Sequence, residues 1–281
     1  MQVMEKNKKI NLIEYDINHD HYSVEEINLR ILPSIKGISQ VSIATTLYLC
    51  GNNEPDDPSS QTSGAFLLSV SGPTPREVSV LINSRYPHYN PSLYGYRDNH
   101  LIVIGGKNQV KCEMYNIKFN RWRQMHDLPE ERYHCSLMTD KNDEYLYVFG
   151  GKSKKELPAM NSIIRTDLKN FPSQWERIMI NEDASFLSRC KMSTYKSGNS
   201  NLIYILGGKD NQSKELYDDV IIYDSFCRVL KQSSIKLKSK ITFNNCGFID
   251  VNKVQYYFMG SKGEVLMINS KNHNVELNSF I

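Results

Sequence analysis

The chain has 281 residues, 40% of them hydrophobic, and carries 34 Lys+Arg against 31 Asp+Glu for a formal net charge of +3. That length admits one large domain or two small ones, and an all-β chain of this size commonly stays whole. The near balance of charge argues against a globally basic, nucleic-acid-binding surface, and no apolar run reaches the roughly 20 residues of a membrane-spanning helix. The opening MQVMEKNKKINLIEY is threaded with lysines and has no uninterrupted apolar stretch, so it does not read as a signal peptide, and a cytoplasmic location is expected. The six cysteines (50, 112, 135, 190, 227, 246) show no C-x-x-C spacing and fall mostly in apolar runs, which reads as buried free thiols.

Seventeen tyrosines, with Val, Ile and Leu spread evenly, favour strands with one buried face over a helical bundle. Two strands are predicted first, INLIEYDI at 10–17 and HYSVEEINL at 21–29; the preceding MQVMEK reads as a damaged strand. A short apolar strand ending in glycine then recurs: TLYLCG at 46–51, LIVIGG at 101–106, LYVFGG at 146–151, IYILGG at 203–208 and YYFMG at 256–260. The glycines that end these runs fall roughly 50 residues apart, a period that marks a repeat architecture. Before each lies another short strand (ISQVSIA, PSLYGY, HCSLMT, KMSTYK, NCGFID), joined to it by polar turn residues such as RDNH and SGNSN. After it come a third strand (EMYNI, IIRTDL, VIIYDS, EVLMINS) and a fourth (RWRQM, QWERIMI, NVELNSFI).

Four short strands at this period build a propeller blade, and the glycines supply a sharp turn or a close backbone approach. Trp122 and Trp175 read as apolar plates between neighbouring blades. The third complete unit has Gly150-Gly151, Thr166-Asp167 and Trp175; the second has Gly105-Gly106, Tyr115-Asn116 and Trp122. The fourth keeps Gly207-Gly208 and Tyr223-Asp224 but has Val229 near the Trp position, and Cys50-Gly51 and Met259-Gly260 stand in the first and last units.

These residues resemble the kelch repeat family, and the resemblance covers nearly the whole chain. It implies an all-β, six-bladed kelch-type propeller with four antiparallel strands per blade, over residues 1–30 (partial), 38–82, 91–126, 133–180, 190–233 and 242–281. The first blade is expected to lack at least its innermost strand, so that the chain is the tail of a longer protein or a partner segment completes the blade. A five-bladed ring with an N-terminal add-on is the less favoured alternative. The resemblance further implies a protein-binding module similar to the kelch domain of BTB–kelch ubiquitin-ligase adaptors, with oligomeric state set by a domain outside this sequence. A cytoskeletal or assembly scaffold is the competing role.

Candidate chemistry is sparse. His19-Asp20-His21 has metal-ligand residue types but reads as a hairpin turn, and the acidic pairs Glu130-Glu131 and Asp218-Asp219 read as solvated or capping. His134 and Cys135, as successive strand residues, are expected to diverge. No catalytic, cofactor or metal residue is assigned, and the chain is read as non-enzymatic. The loops beside the glycines are long (51–64, 152–161, 209–218), as recognition loops on rigid scaffolds are. Their face gathers Lys36, Arg85, Arg132 and Arg189 with Lys107, Lys152, Lys209 and Lys214, near Tyr86, Tyr89, Tyr133 and Phe186. Arg132 and Arg189 directly precede inner strands and are expected to point at the channel mouth, where the face takes an acidic or phosphorylated peptide. The competing reading has these arginines brace neighbouring blades through loop carbonyls.

Overall fold

A computed structural model of the chain describes residues 2–6, 9–16, 19, 21–27, 35–52, 64–72, 77–153, 162–180, 188–196, 200–243, 249–251, 255–260, 265–269 and 275–278. Among them no helix occurs, and the strands form consecutive antiparallel sheets. The first sheet has three strands, β1 (Gln2–Lys6), β2 (Lys9–Asp16) and β3 (His21–Glu26). The second is β4 (Ile38–Ile43), β5 (Thr46–Gly51), β6 (Phe66–Ser71) and β7 (Glu77–Val80). The third is β8 (Ser92–Tyr96), β9 (His100–Gly106), β10 (Gln109–Asn116) and β11 (Arg121–Gln124). The fourth is β12 (Ser136–Thr139), β13 (Tyr145–Phe149), β14 (Ile163–Asp167) and β15 (Trp175–Ile178).

A two-residue strand, β16 (Arg189–Cys190), precedes the fifth sheet and pairs with β19 (Lys209–Asp210). The fifth sheet itself contains β17 (Ser193–Lys196), β18 (Leu202–Leu206), β20 (Asp219–Asp224) and β21 (Val229–Lys236). The sixth is β22 (Ile249–Val251), β23 (Gln255–Met259), β24 (Val265–Asn269) and β25 (Val275–Asn278). In the first sheet β1 pairs with β2 and also lies against β4, so QVMEK forms the inner edge of a three-stranded sheet. This all-β arrangement of four-stranded antiparallel sheets fits a kelch-type β-propeller.

Burial follows the radial position of each strand. The second strands are covered on both sides, as in β9, where every residue after His100 is buried, while outer β7 and β11 are mostly exposed. A strand sandwiched between neighbours reads as a continuous apolar run, and one at the rim alternates. Each junction has its own apolar layer. Leu12 and Ile27 pack with Leu47, Leu49 and Leu68 between the first two sheets, and Val41, Tyr48 and Leu67 with Leu93, Val103 and Tyr115 between the next two. Ile102 and Ile104 meet Leu137 and Val148; Tyr147 and Phe149 meet Ile203, Ile205 and Tyr223; Tyr204 and Leu206 meet Phe258, Leu266 and Ile268.

The tryptophans tie outer strands to the preceding sheet. Trp122 Nε1 donates to Ile82 O at 2.7 Å and Trp175 Nε1 to His126 O at 2.8 Å. Cys50, Cys112, Cys135 and Cys190 are buried free thiols. Cys227 departs from that expectation: it is exposed, because it sits in the β20–β21 hairpin turn with its amide held by Asp224. Cys246 lies outside the described residues.

The paired glycines have separate tasks. Gly105 has φ +56, and a Cβ there would lie 2.4 Å from Arg132 O, the carbonyl that starts the next sheet. Gly106 has φ +135, and its Cβ would lie 3.0 Å from Tyr89 O, on the approach to its own inner strand. One glycine therefore admits the next sheet and the other admits the sheet's own first strand. Replacing Gly105 with Ala is expected to cost roughly 2–5 kcal/mol, combining left-handed strain with a forced backbone shift; chemical denaturation measures it.

Candidate functional site

At the end of the sheets marked by the glycines, one backbone pattern repeats. The amides of Asn52, Gly106, Gly151 and Gly208 donate to the carbonyls of His88, Arg132, Arg189 and Ile241, each just ahead of the next sheet's inner strand, at 2.8, 3.0, 2.8 and 2.9 Å. Nearer the axis the inner strands are laced together. Asn90 N donates to Gly37 O at 2.8 Å, Lys191 N to His134 O at 3.0 Å and Phe243 N to Lys191 O at 2.8 Å. Gly37, Asn90, His134 and Lys191 all have positive φ, each two residues before a buried serine, Ser39, Ser92, Ser136 and Ser193. Residues of these turns, with Pro91, Cys135 and Met192, enclose a space of about 10 Å³, room for roughly one water molecule.

The residues preceding these turns point inward. His88 is wholly buried, with Nδ1 2.6 Å from Gly105 O and Nε2 3.1 Å from Glu113 Oε2. Arg132 is wholly buried as well: it donates to Gly150 O at 3.1 Å, Ser162 O at 3.0 Å, Ser162 Oγ at 2.9 Å and the Glu130 carboxylate. Arg189 is 5% exposed, forks onto the Asp219 carboxylate and lies over the Tyr217 ring at 3.4 Å.

The expectation that Arg132 and Arg189 point at the channel mouth is therefore corrected. A guanidinium is buried when carboxylate and carbonyl acceptors saturate it; here Glu130, Gly150 and Ser162 supply them to Arg132, and Asp219 at the start of β20 to Arg189. The bracing reading describes what both arginines do in the structure. Of the other expected residues, Arg85 is exposed with its amide on Glu113, while Tyr86 turns outward, its hydroxyl 3.3 Å from Gln124 Oε1 on β11. Tyr89 is buried and accepts the Lys107 amide at 2.7 Å through its carbonyl; Lys36 is exposed in the turn before β4. Tyr133 forms a bridge with Lys152 and its ring lies 5.3 Å from His134. Phe186 and most of loops 51–64 and 152–161 lie outside the described residues.

The sequence reading placed Lys152, Lys209 and Lys214 on this face; what it missed is Lys191, beside which Lys152 and Lys209 lie. The lysine after each Gly-Gly pairs through its backbone with the residue that follows a buried base: Lys107 with Tyr89, Lys152 with Tyr133, and Lys209 with Cys190. The visible signal was the recurrence of Gly-Gly-Lys at 105–107, 150–152 and 207–209. Burial, with Lys191 and Lys152 beside it, holds the His134 imidazole down at about 3. Burial also pushes the Cys135 thiol up to about 11, which keeps it protonated at neutral pH. His19 Nδ1 lies 2.7 Å from Asp16 Oδ2; Asp20 is outside the described residues, and among those described no cluster of metal-ligand side chains occurs.

The sheets and their latches define a propeller-type frame. Compared with known proteins, the chain is 25% identical over 189 residues to a kelch repeat-containing protein of Dictyostelium discoideum, covering 59% of this chain. The chain spans about a quarter (26%) of that relative's length. No family model matches. The relative and the four-stranded sheets together support a kelch-like family.

Two outcomes follow from this geometry. Arg132→Ala leaves Glu130 with Arg177 as its remaining partner but strands the Gly150 and Ser162 acceptors beside an emptied buried site, and is expected to cost about 2–5 kcal/mol in denaturant unfolding. For His134, the imidazole titrates at its ordinary value of 6.5 when unfolded and near 3 when folded. Between those values the unfolded chain holds a proton the folded one lacks, so stability falls as pH drops from 6.5 toward 3. His134→Asn, which tolerates the positive φ, should flatten the pH slope of unfolding free energy by up to one proton relative to the native chain.

Proposed function

We propose that the chain is a non-catalytic protein-interaction module that receives an acidic or phosphorylated peptide on its Gly-Gly face. The observation that carries this reading is the recurrence of Lys107, Lys152 and Lys209 directly after Gly-Gly on three successive sheets, each fixed by a backbone pairing. Cations held on a rigid frame meet an anionic partner with little ordering cost, and this favours affinity. Lysines act as point charges toward carboxylate or phosphate, so they suit short acidic segments in varied poses. The kelch repeat-containing relative adds to an interaction role for the frame. By its resemblance to BTB–kelch adaptor domains, the chain would serve as the substrate-recognition part of a cytoplasmic ubiquitin ligase.

A peptide array with acidic, phosphoserine and neutral members tests the reading. Lys107→Glu, Lys152→Glu and Lys209→Glu combined should weaken binding to the charged members at least tenfold while the melting temperature holds. Equal binding to neutral and charged members, or no effect of the charge reversals, would overturn it.

A further inference from the structure

We propose that Lys152, Lys191 and Lys209 form one oxyanion seat, at the mouth of the axial space between the fourth and fifth sheets, that takes a phosphoryl group carried on a partner peptide. This rests on the interaction reading above and names the atoms that would serve it. Three backbone contacts bring the lysines together. Gly151 N donates to Arg189 O at 2.8 Å, which sets Lys152 beside the start of the fifth sheet. Cys190 pairs with Lys209 across β16 and β19, and Lys191 follows Cys190 directly. Lys191 N bonds to His134 O, and His134 follows Tyr133, the bridge partner of Lys152.

The cluster lacks compensating charge. Among the described residues, no carboxylate bonds to the ammonium groups of Lys152, Lys191 or Lys209, all of which are half-buried. The carboxylates on the same elements are engaged elsewhere. Asp210 accepts from Ser188, Gln212 and Ser213, Asp219 holds Arg189, and Glu215 bonds Lys240 at 3.0 Å. Lys214, whose Nζ bonds Asn211 O, adds a further cation at the rim. Burial first, and then the charges of Lys152 and Lys209, press the Lys191 ammonium below its ordinary range. A bound dianion would relieve that.

The backbone at Lys191 supports a role for its side chain. Its φ is +54, in the left-handed region. The corresponding axial positions of the second and third sheets hold Gly37 and Asn90, types that enter this region readily. Lysine has no such local preference, and strain of this kind collects where a side chain is used. Converging lysines without counter-charge match the roughly −2 charge and three acceptor oxygens of a phosphoryl group better than one carboxylate.

Inorganic phosphate serves as the first probe and a phosphoserine peptide, with its Ser and Glu versions, as the second. Phosphate should raise the melting temperature of the native chain saturably, and the phosphoserine peptide should bind at least tenfold tighter than the Glu version. Lys191→Asn, which suits the left-handed backbone, and Lys152→Gln, at an ordinary backbone position, should each weaken both responses at least tenfold. Without phosphate, and at low salt, Lys191→Asn should melt no lower than the native chain because repulsion is relieved. A phosphate response that persists in both variants, or the absence of a saturable response in the native chain, would sink the seat. If acidic peptides then still bind and still depend on the Gly-Gly lysines, the interaction reading stands without it. If the seat binds phosphate but no peptide binds at all, the seat survives and the peptide reading fails.

Discussion

A single kind of contact between neighbouring sheets sets the geometry of the whole molecule. Among the described residues, the amide at the end of the second strand in four successive sheets donates to a carbonyl ahead of the next sheet, as between Gly106 and Arg132 or Gly151 and Arg189. For the two backbones to come that close, no Cβ can stand between them, hence the glycine pair. The side chain at the accepting position cannot point outward along the same path, so it folds into its own sheet. There His88 meets Glu113, Arg132 meets Glu130 and Ser162, and Arg189 meets Asp219.

This arrangement sorts the cations of the Gly-Gly face into two populations. Arg132 and Arg189, each four residues before an inner strand, are buried and paired, and they brace the frame. Lys191, Lys152 and Lys209 stay half-buried without a bonded carboxylate among the described residues. Three positions in chain order, Arg189, Cys190 and Lys191, thus take three fates: an ion pair, an apolar burial and a half-buried charge. The difference is the direction each residue takes from one strand start, two-residue β16 and the left-handed turn after it.

The strand pattern was readable because apolar runs closed by glycine are a local property. LIVIGG and LYVFGG state both the double-sided burial of a second strand and the contact that ends it. The β8–β9 hairpin turn was equally legible, since RDNH carries its own turn chemistry. The candidate site was only partly legible. Arg132 and Lys191 look alike in the sequence, each a cation before an apolar strand, yet Arg132 has acceptors on Glu130, Gly150 and Ser162, and the Lys191 ammonium has no bonded acceptor among the described residues. For the buried arginines that depends on Ser162 and Asp219 arriving from elsewhere in the chain, each 30 residues from the arginine it serves, while Glu130 lies only two residues from Arg132.

The amino-acid sequence by itself determined the β class, the repeat of four strands and the places where backbones must touch, because these follow from hydrophobic period and from glycine. Tertiary structure alone decided which charges face a partner. Burial of a base turns on whether acceptors from a distant strand reach it, and the clustering of three lysines turns on pairings between segments that no local pattern records.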